Sequence, residues 1–393
     1  VPLFIRIGAA FFLNAFLLGS WLTRVPDVME TLGLSKAEMG LALTAGPIGT
    51  LAVLPFVGRW IDRTSPAAVF IASGIGLSLA LLPIALAPNG ILLTVAIFIA
   101  GVTNAGMEVA QNAAADRSEK ADGRKVMARC HGFWSLGIMA GALVAGAAGQ
   151  FGIGYGAHFP AVAAVAVLAT VGLMWVLPPV VFRPPPTAGD AGEPGPVFAL
   201  PGRAVLGACL MAIGVTLAEG AFYDWGTLFL RQDLGASPLA AGVGYACFAV
   251  AMAAGRFSGD AIRERFEAPV IVRACAVAAG IGLVGFVLAP TVPLACAALV
   301  VLGAGVSLVF PLAVSAVADR SGASAASNMA GLSLAVMAAL LTAPPLIGFL
   351  AEVAGLGTAF LALLPAVVMT GFLAGHSRAV RTPQTLKACP EAA

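Results

Sequence analysis

Charge is scarce in this chain. Of its 393 residues, 21 are Lys or Arg and 19 are Asp or Glu, 10% in all, where a soluble domain carries about 25%. So few charges cannot cover the surface of a water-soluble protein of this length. The shortage excludes an ordinary cytosolic enzyme, a nucleic-acid-binding protein and a disordered chain. Cysteine is sparse and scattered. Cys130, Cys209, Cys247, Cys275, Cys296 and Cys389 lie mostly inside apolar runs and form no C-x-x-C pair, so neither a metal site nor a disulfide framework follows. There is no P-loop, dinucleotide fingerprint or H-E-x-x-H. No nucleophile, base and oxyanion donor can be assembled into an active site. The expectation is a protein that is not an enzyme, with no cofactor and no metal, and with a partner chain needed for any use of ATP.

What the chain has is apolar length. Sixty per cent of its residues are hydrophobic, and the mean hydropathy is +0.98. The apolar stretches are continuous runs of about 20 residues, the length of a helix that crosses a bilayer, and not the short alternating strands of a barrel. Twelve spans are predicted: 3–25, 38–58, 67–87, 90–114, 131–152, 159–181, 204–230, 238–258, 268–289, 292–317, 328–350 and 356–377. The first is too long for a signal-peptide core and ends in Arg24-Val25-Pro26 without a small-residue cleavage site, so it reads as a span.

The basic residues set the predicted orientation. With a cytoplasmic N-terminus, 18 of the 21 fall in inner segments; only Arg24, Lys36 and Arg231 fall in outer ones. That bias predicts a multi-pass protein of the bacterial inner membrane with both termini in the cytoplasm. The predicted organisation is an N-terminal six-helix bundle at 1–182, a Pro/Gly-rich cytoplasmic linker at 183–203, a C-terminal six-helix bundle at 204–378 and a cytoplasmic tail at 379–393. The halves repeat one another weakly. Gly58-Arg59-Trp60-Ile61-Asp62 follows span 2, and Gly255-Arg256-Phe257-Ser258-Gly259-Asp260 follows span 8. Ala-Asp-Arg-Ser ends both span 4 and span 10. Internal repeats around a midplane site are the architecture of alternating-access carriers.

Ionisable groups at bilayer depth are costly and therefore informative. Those well inside spans are Glu108, Glu219 and Asp224. In span 4, Asn104, Glu108, Gln111 and Asn112 fall within one stripe about 100° wide on an otherwise apolar helix. Such a stripe is either a wall of the substrate path, with Glu108 as proton acceptor, or a hydrogen-bonded seam between helices. A carboxyl group there can be neutral in one conformation and charged in another, which suits proton coupling. His131, at the start of span 5, either relays that proton to inner water or caps the interface. In span 7 the i, i+5 spacing separates Glu219 from Asp224 by about 140°. Glu219 is expected to face the cavity. Asp224 is expected to meet Arg24 at the outer level, as a gate latch or a static salt bridge, unless Arg24 snorkels to headgroups. Trp21, Trp134, Tyr223, Trp225 and Tyr245 either stack on a substrate ring or mark the interface belts.

The Gly58-x-x-x-Asp62-Arg63 turn, its partial copy after span 8 and the six-plus-six layout resemble the major facilitator superfamily over essentially the whole chain, although Thr64-Ser65-Pro66 replaces the usual basic run. The resemblance implies an all-α membrane protein of two six-helix bundles. It also implies inner-face gating by Gly58, Asp62, Arg63, Arg256 and Asp260, with Gly58 and Gly255 allowing close backbone approach. Glu108-x-x-x-Asn112, His131-Gly-x-x-Ser135 and Glu219-x-x-x-x-Asp224-Trp225 are similar to the fucose-permease-like branch, where a span-4 glutamate takes part in proton coupling. Span 1 lacks that branch's carboxylate and offers Asn14, Ser20, Trp21 and Arg24 instead. Span 5 lacks the Gly-Pro pair typical of drug–proton antiporters, which favours uptake. The expected function is proton-coupled symport of a small polar solute, a sugar, polyol or cyclitol, by a monomer in the lipid bilayer. The alternative is proton-driven export of amphiphilic compounds. Glu108, His131 and Glu219 are the proton-coupling candidates. Asn14, Asn104, Gln111, Asn112, Trp21 and Tyr223 are the substrate-binding candidates, and Arg24 and Asp224 join the gating set.

Overall fold

The computed structural model describes residues 2–123, 126–183, 199–318, 320 and 324–378. Most of the predicted linker and all of the predicted tail lie outside the described residues, as do Asp319 and Ser321 of the second Ala-Asp-Arg-Ser token.

The described chain is helical, without strands, and twelve of its helical segments are long and apolar enough to cross a membrane. The first crossing is broken into α1 (Leu3–Leu22) and α2 (Val25–Leu32). Then come α3 (Lys36–Arg63), α4 (Pro66–Leu86), α5 (Gly90–Asp122), α6 (Met127–Gln150) and α7 (Tyr155–Val176). The second half holds α8 (Arg203–Gln232), α9 (Pro238–Arg265) and α10 (Ala268–Leu288). Its tenth crossing is split into α11 (Val292–Val306) and α12 (Val309–Ala318). α13 (Ala325–Ala354) is the eleventh, and α14 (Leu356–Leu361) with α15 (Leu364–Phe372) makes most of the twelfth. We call the end of the bundle where α1 begins the near face, and the end carrying Arg24, Lys36 and Arg231 the far face.

Local sequence explains the helix ends that matter. Pro26 has no N–H, so it cannot bond the carbonyl of Leu22, and α1 stops there. The chain restarts at once as α2, which ends at Gly33 in the left-handed conformation (φ 62°). The first crossing thus runs on to Leu32, and Arg24 sits in a buried break instead of at the span's end. Ser35 and Glu38 form a reciprocal capping box that starts α3 at the far face.

The first six crossings pack among themselves, chiefly α1 on α6, α3 and α4 on α5, and α4 on α7. The last six do likewise through α8, α9, α10, α11, α13 and α15. Small residues set the spacing. A Cβ on Gly101 of α5 would strike the carbonyl of Gly46 in α3, and Thr50 donates to the Gly101 carbonyl at 3.1 Å. The halves meet along two seams, α6 against α9 and α3 against α13. The first is close at both ends, at Gly146–Pro238 and at Gly132–Phe257. The second is close at the far face, where a Cβ on Gly40 would lie 2.7 Å from the Pro344 carbonyl and one on Gly348 2.6 Å from that of Lys36.

Candidate functional site

Between the halves lies a cavity of about 240 Å³. α1, α3, α4 and α5 wall it on one side, and α8 and α13 on the other. Most of its surface is apolar, from residues such as Leu17, Leu43, Leu81, Ile97 and Leu340. The polar groups that reach it are few: Thr50, Asn104, Glu108, Tyr223 and Asp224, with Trp21 beside them.

The polar stripe of α5 divides between two environments. Asn104 and Glu108, at its centre, line the cavity, and Glu108 is exposed there with no ion-pair partner among the described residues. Gln111, at one edge, is turned into the protein (1% exposed). Asn112, at the other, donates to the Glu108 carbonyl of its own helix at 2.9 Å. Neither lines the cavity, because a stripe about 100° wide is broader than the arc a helix can present to one opening. Asn14 is also buried, and it backs the site. Its amide donates to Asn104 Oδ1 at 2.8 Å and accepts from Trp134 Nε1 at 3.3 Å. With its oxygen used in this way, Asn104 keeps its N–H groups for the cavity.

Around α8 neither acid takes the place expected of it. Asp224 lines the cavity. Glu219 points at α9, where it lies 3.6 Å from Arg256 and accepts from Tyr223 at 3.2 Å. Arg256 also donates to Ser135 of α6 at 3.3 Å, so a half-buried cation of the second half holds a hydroxyl of the first. This corrects the placement of Arg256 at a near-face turn: one helical turn before Asp260, its side chain reaches inward to Glu219. Tyr223 stacks on Tyr245 at 5.8 Å between centroids, and Trp134 packs edge-on against it at 6.1 Å. His131 packs edge-on against Phe11 at 5.2 Å and is not among the cavity-lining residues.

The Arg24–Asp224 pair is not formed. Arg24 (3% exposed) lies 2.7 Å from Asp27 and donates to the carbonyls of Ala145 and Ile153. The break at Pro26 turns its side chain back into its own half. The far-face bond between halves is instead made by Asp27, whose second oxygen accepts from Arg231 at the end of α8. Two further contacts close the same face. The Leu22 carbonyl, freed by Pro26, accepts from Thr227 at 3.4 Å, and the Lys36 amide donates to Glu352 at 2.9 Å. Sequence reasoning missed Asp27 and Arg231. Their signal was the i, i+3 spacing of Arg24 and Asp27 across a proline, together with a cation at the outer end of the span expected to face them.

At the near face, Asp62, Arg63 and Asp260 are exposed. A Cβ on Gly58 would meet nothing within 4 Å, so the close approach expected at Gly58 is absent, because the α3–α13 seam closes only at the far end. Gly255 is closely approached, by the Ser307 side chain.

The model of the Major Facilitator Superfamily matches the chain over residues 7–230 and 204–388. The chain is 31% identical over 354 residues to the uncharacterised transporter y4wD of Sinorhizobium fredii, covering 90% of this chain and 92% of that protein. It is 30% identical over 353 residues to an uncharacterised MFS-type transporter of Yersinia pestis, with 89% of each covered. Among solved structures it is similar to the nucleoside transporter NupG, with a TM-score of 0.74 at 16% identity, covering 96% of this chain and 99% of that one.

Proposed function

The chain belongs to the major facilitator superfamily, a family of membrane transporters and not of enzymes, and from that premise we propose that it carries a small polar solute across the bacterial inner membrane by alternating access, in symport with protons. The observation that carries this reading is the position of Glu108. It is a carboxyl group at bilayer depth, open to the cavity between the halves and without a basic partner among the described residues. Water or solute in that cavity exchanges its proton. Rocking of the halves then offers the same group to the opposite face. Asn104 supplies donors to the solute from a position that Asn14 and Trp134 hold fixed.

Asp27–Arg231, the Leu22–Thr227 bond and the Gly40–Pro344 approach act as the outer gate, closed in this conformation. Asp62, Arg63 and Asp260 are exposed here and serve to close the inner face in the opposite state. The far face is the outer one in this reading because 18 of the 21 basic residues fall in the sequence segments predicted to lie on the other side. The cavity size favours a compact solute, since about 240 Å³ is below the roughly 300–1,000 Å³ of pockets that take drug-sized ligands. Its apolar walls favour the second reading, proton-driven export of amphiphilic compounds.

The test is uptake into proteoliposomes with an imposed pH gradient. Glu108→Gln is expected to abolish the dependence of flux on the gradient. A variant that transports as fast, and with the same gradient dependence, refutes the proton role. Competition by sugars against competition by lipophilic cations separates the two readings.

A further inference from the structure

Glu108 and Asp224 are both among the residues lining the cavity, and no Lys, Arg or His is among them. Three arginines of the bundle interior are engaged elsewhere. Arg24 is held by Asp27 and two carbonyls, Arg231 by Asp27, and Arg256 by Glu219 and Ser135. Asp224 has no hydrogen-bond or ion-pair partner among the described residues. A carboxylate at this depth is not stabilised by bulk water and needs a counter-charge. The described residues supply none, so a proton or a bound cation must.

Tyr223 directly precedes Asp224 on α8. Tyr223 and Trp21 line the same cavity. The Tyr223 ring is fixed by its bond to Glu219, by stacking on Tyr245 and by the edge of Trp134. A rigid aromatic beside an unpaired carboxylate recognises an organic cation: the acid supplies the charge, and the ring faces supply the quadrupole. A neutral polyol needs many matched donors and acceptors, and these walls offer few. An ammonium compound needs one strong anchor and an apolar or sparsely polar enclosure, which is what the cavity provides.

Resting on the transport reading above, we infer that the solute is a compact organic ammonium ion that docks on the Asp224 carboxylate against Tyr223 and Trp21, leaving Glu108 to the proton. Asp224 is then a specificity-determining residue of the binding site and not a gate.

The experiment is thermal unfolding of the purified full chain with probes in matched pairs at tens of millimolar: glucosamine against glucose, and cyclohexylamine against cyclohexanol. An amine is expected to raise the unfolding temperature while its neutral partner does not. Asp224→Asn, which keeps shape and removes charge, is expected to lose that shift, and Asp224→Glu to retain part of it. Neutral probes stabilising as well as amines, no shift with either amine, or an amine shift unchanged in Asp224→Asn each overturn the inference. Unfolding of unliganded Asp224→Asn checks that the variant folds; if it does not, the amine-against-neutral contrast on the parent chain decides alone. The transport reading fails separately. Glu108→Gln retaining its gradient-dependent flux sinks proton coupling but leaves amine selectivity standing. Gradient-driven uptake of a neutral sugar, with no effect of amines, sinks the ammonium site and leaves transport standing.

Discussion

Arg231→Met is expected to open the far face. In the closed conformation Arg231 reaches from the end of α8 to Asp27 of α2, and the side chains of the pair are only 22% and 20% exposed. A fully exposed pair contributes about 0.2–1 kcal/mol, and a hydrogen bond to a charged group shielded from water about 1.5–3 kcal/mol. One-fifth exposure places this pair in the second range. Methionine keeps the length of the stem and removes the charge, while Asp27 keeps Arg24 as its partner within the first half. The loss therefore falls on the closed state, and a cost of about 1.5–3 kcal/mol raises the ratio of far-open to far-closed molecules about 10- to 150-fold.

Thr227 reports this opening. It is fully buried in the seam, bonded to the Leu22 carbonyl. In a background with the native cysteines replaced, a cysteine at position 227 is expected to react with a water-soluble maleimide at least tenfold faster when Arg231 is Met. Arg231→Lys is expected to give an intermediate rate. Equal labelling rates in the Arg and Met backgrounds refute the latch. Exchanging the two charges is no rescue, since a cation at position 27 would face Arg24.

Gly40→Val places methyl groups against the Pro344 carbonyl, 2.7 Å from the position of a Cβ, and should raise Thr227 labelling with Arg231 intact; unchanged labelling counts against closure at that crossing. Asn14→Leu leaves Asn104 and the Trp134 indole without their partner. It is expected to destabilise the protein by about 1–3 kcal/mol, read as a fall in unfolding temperature and in solute affinity together. Arg256→Gln leaves the half-buried Glu219 without its cation and is expected to cost about 1.5–3 kcal/mol, while the double variant Glu219→Gln, Arg256→Gln costs less than Arg256→Gln alone. A double variant as unstable as the sum of the singles shows that the 3.6 Å pair is not an energetic unit.

Twelve apolar runs, the scarcity of charge and the repeated glycine–acid turns determined by themselves that the chain spans the membrane in two six-helix halves, because in lipid every backbone polar group must be satisfied within a helix, and helix length must match the bilayer. The central part of the polar site was legible for the same reason. Asn104 and Glu108 stand out on an apolar helix since lipid cannot solvate them, and in the structure they line the cavity. Which groups meet was decided only by tertiary structure. The 140° between Glu219 and Asp224 separates their surroundings without saying which acid takes the cavity, and helical rotation gives that place to Asp224 while Arg256 of α9 claims Glu219. Pro26 announces a break, but not that the break folds Arg24 back onto Asp27 and leaves Arg231 to complete the latch. Spacing along a helix fixes the angle between side chains. The azimuth of the whole helix is set by the small residues against which its neighbours pack, and those contacts are remote in sequence.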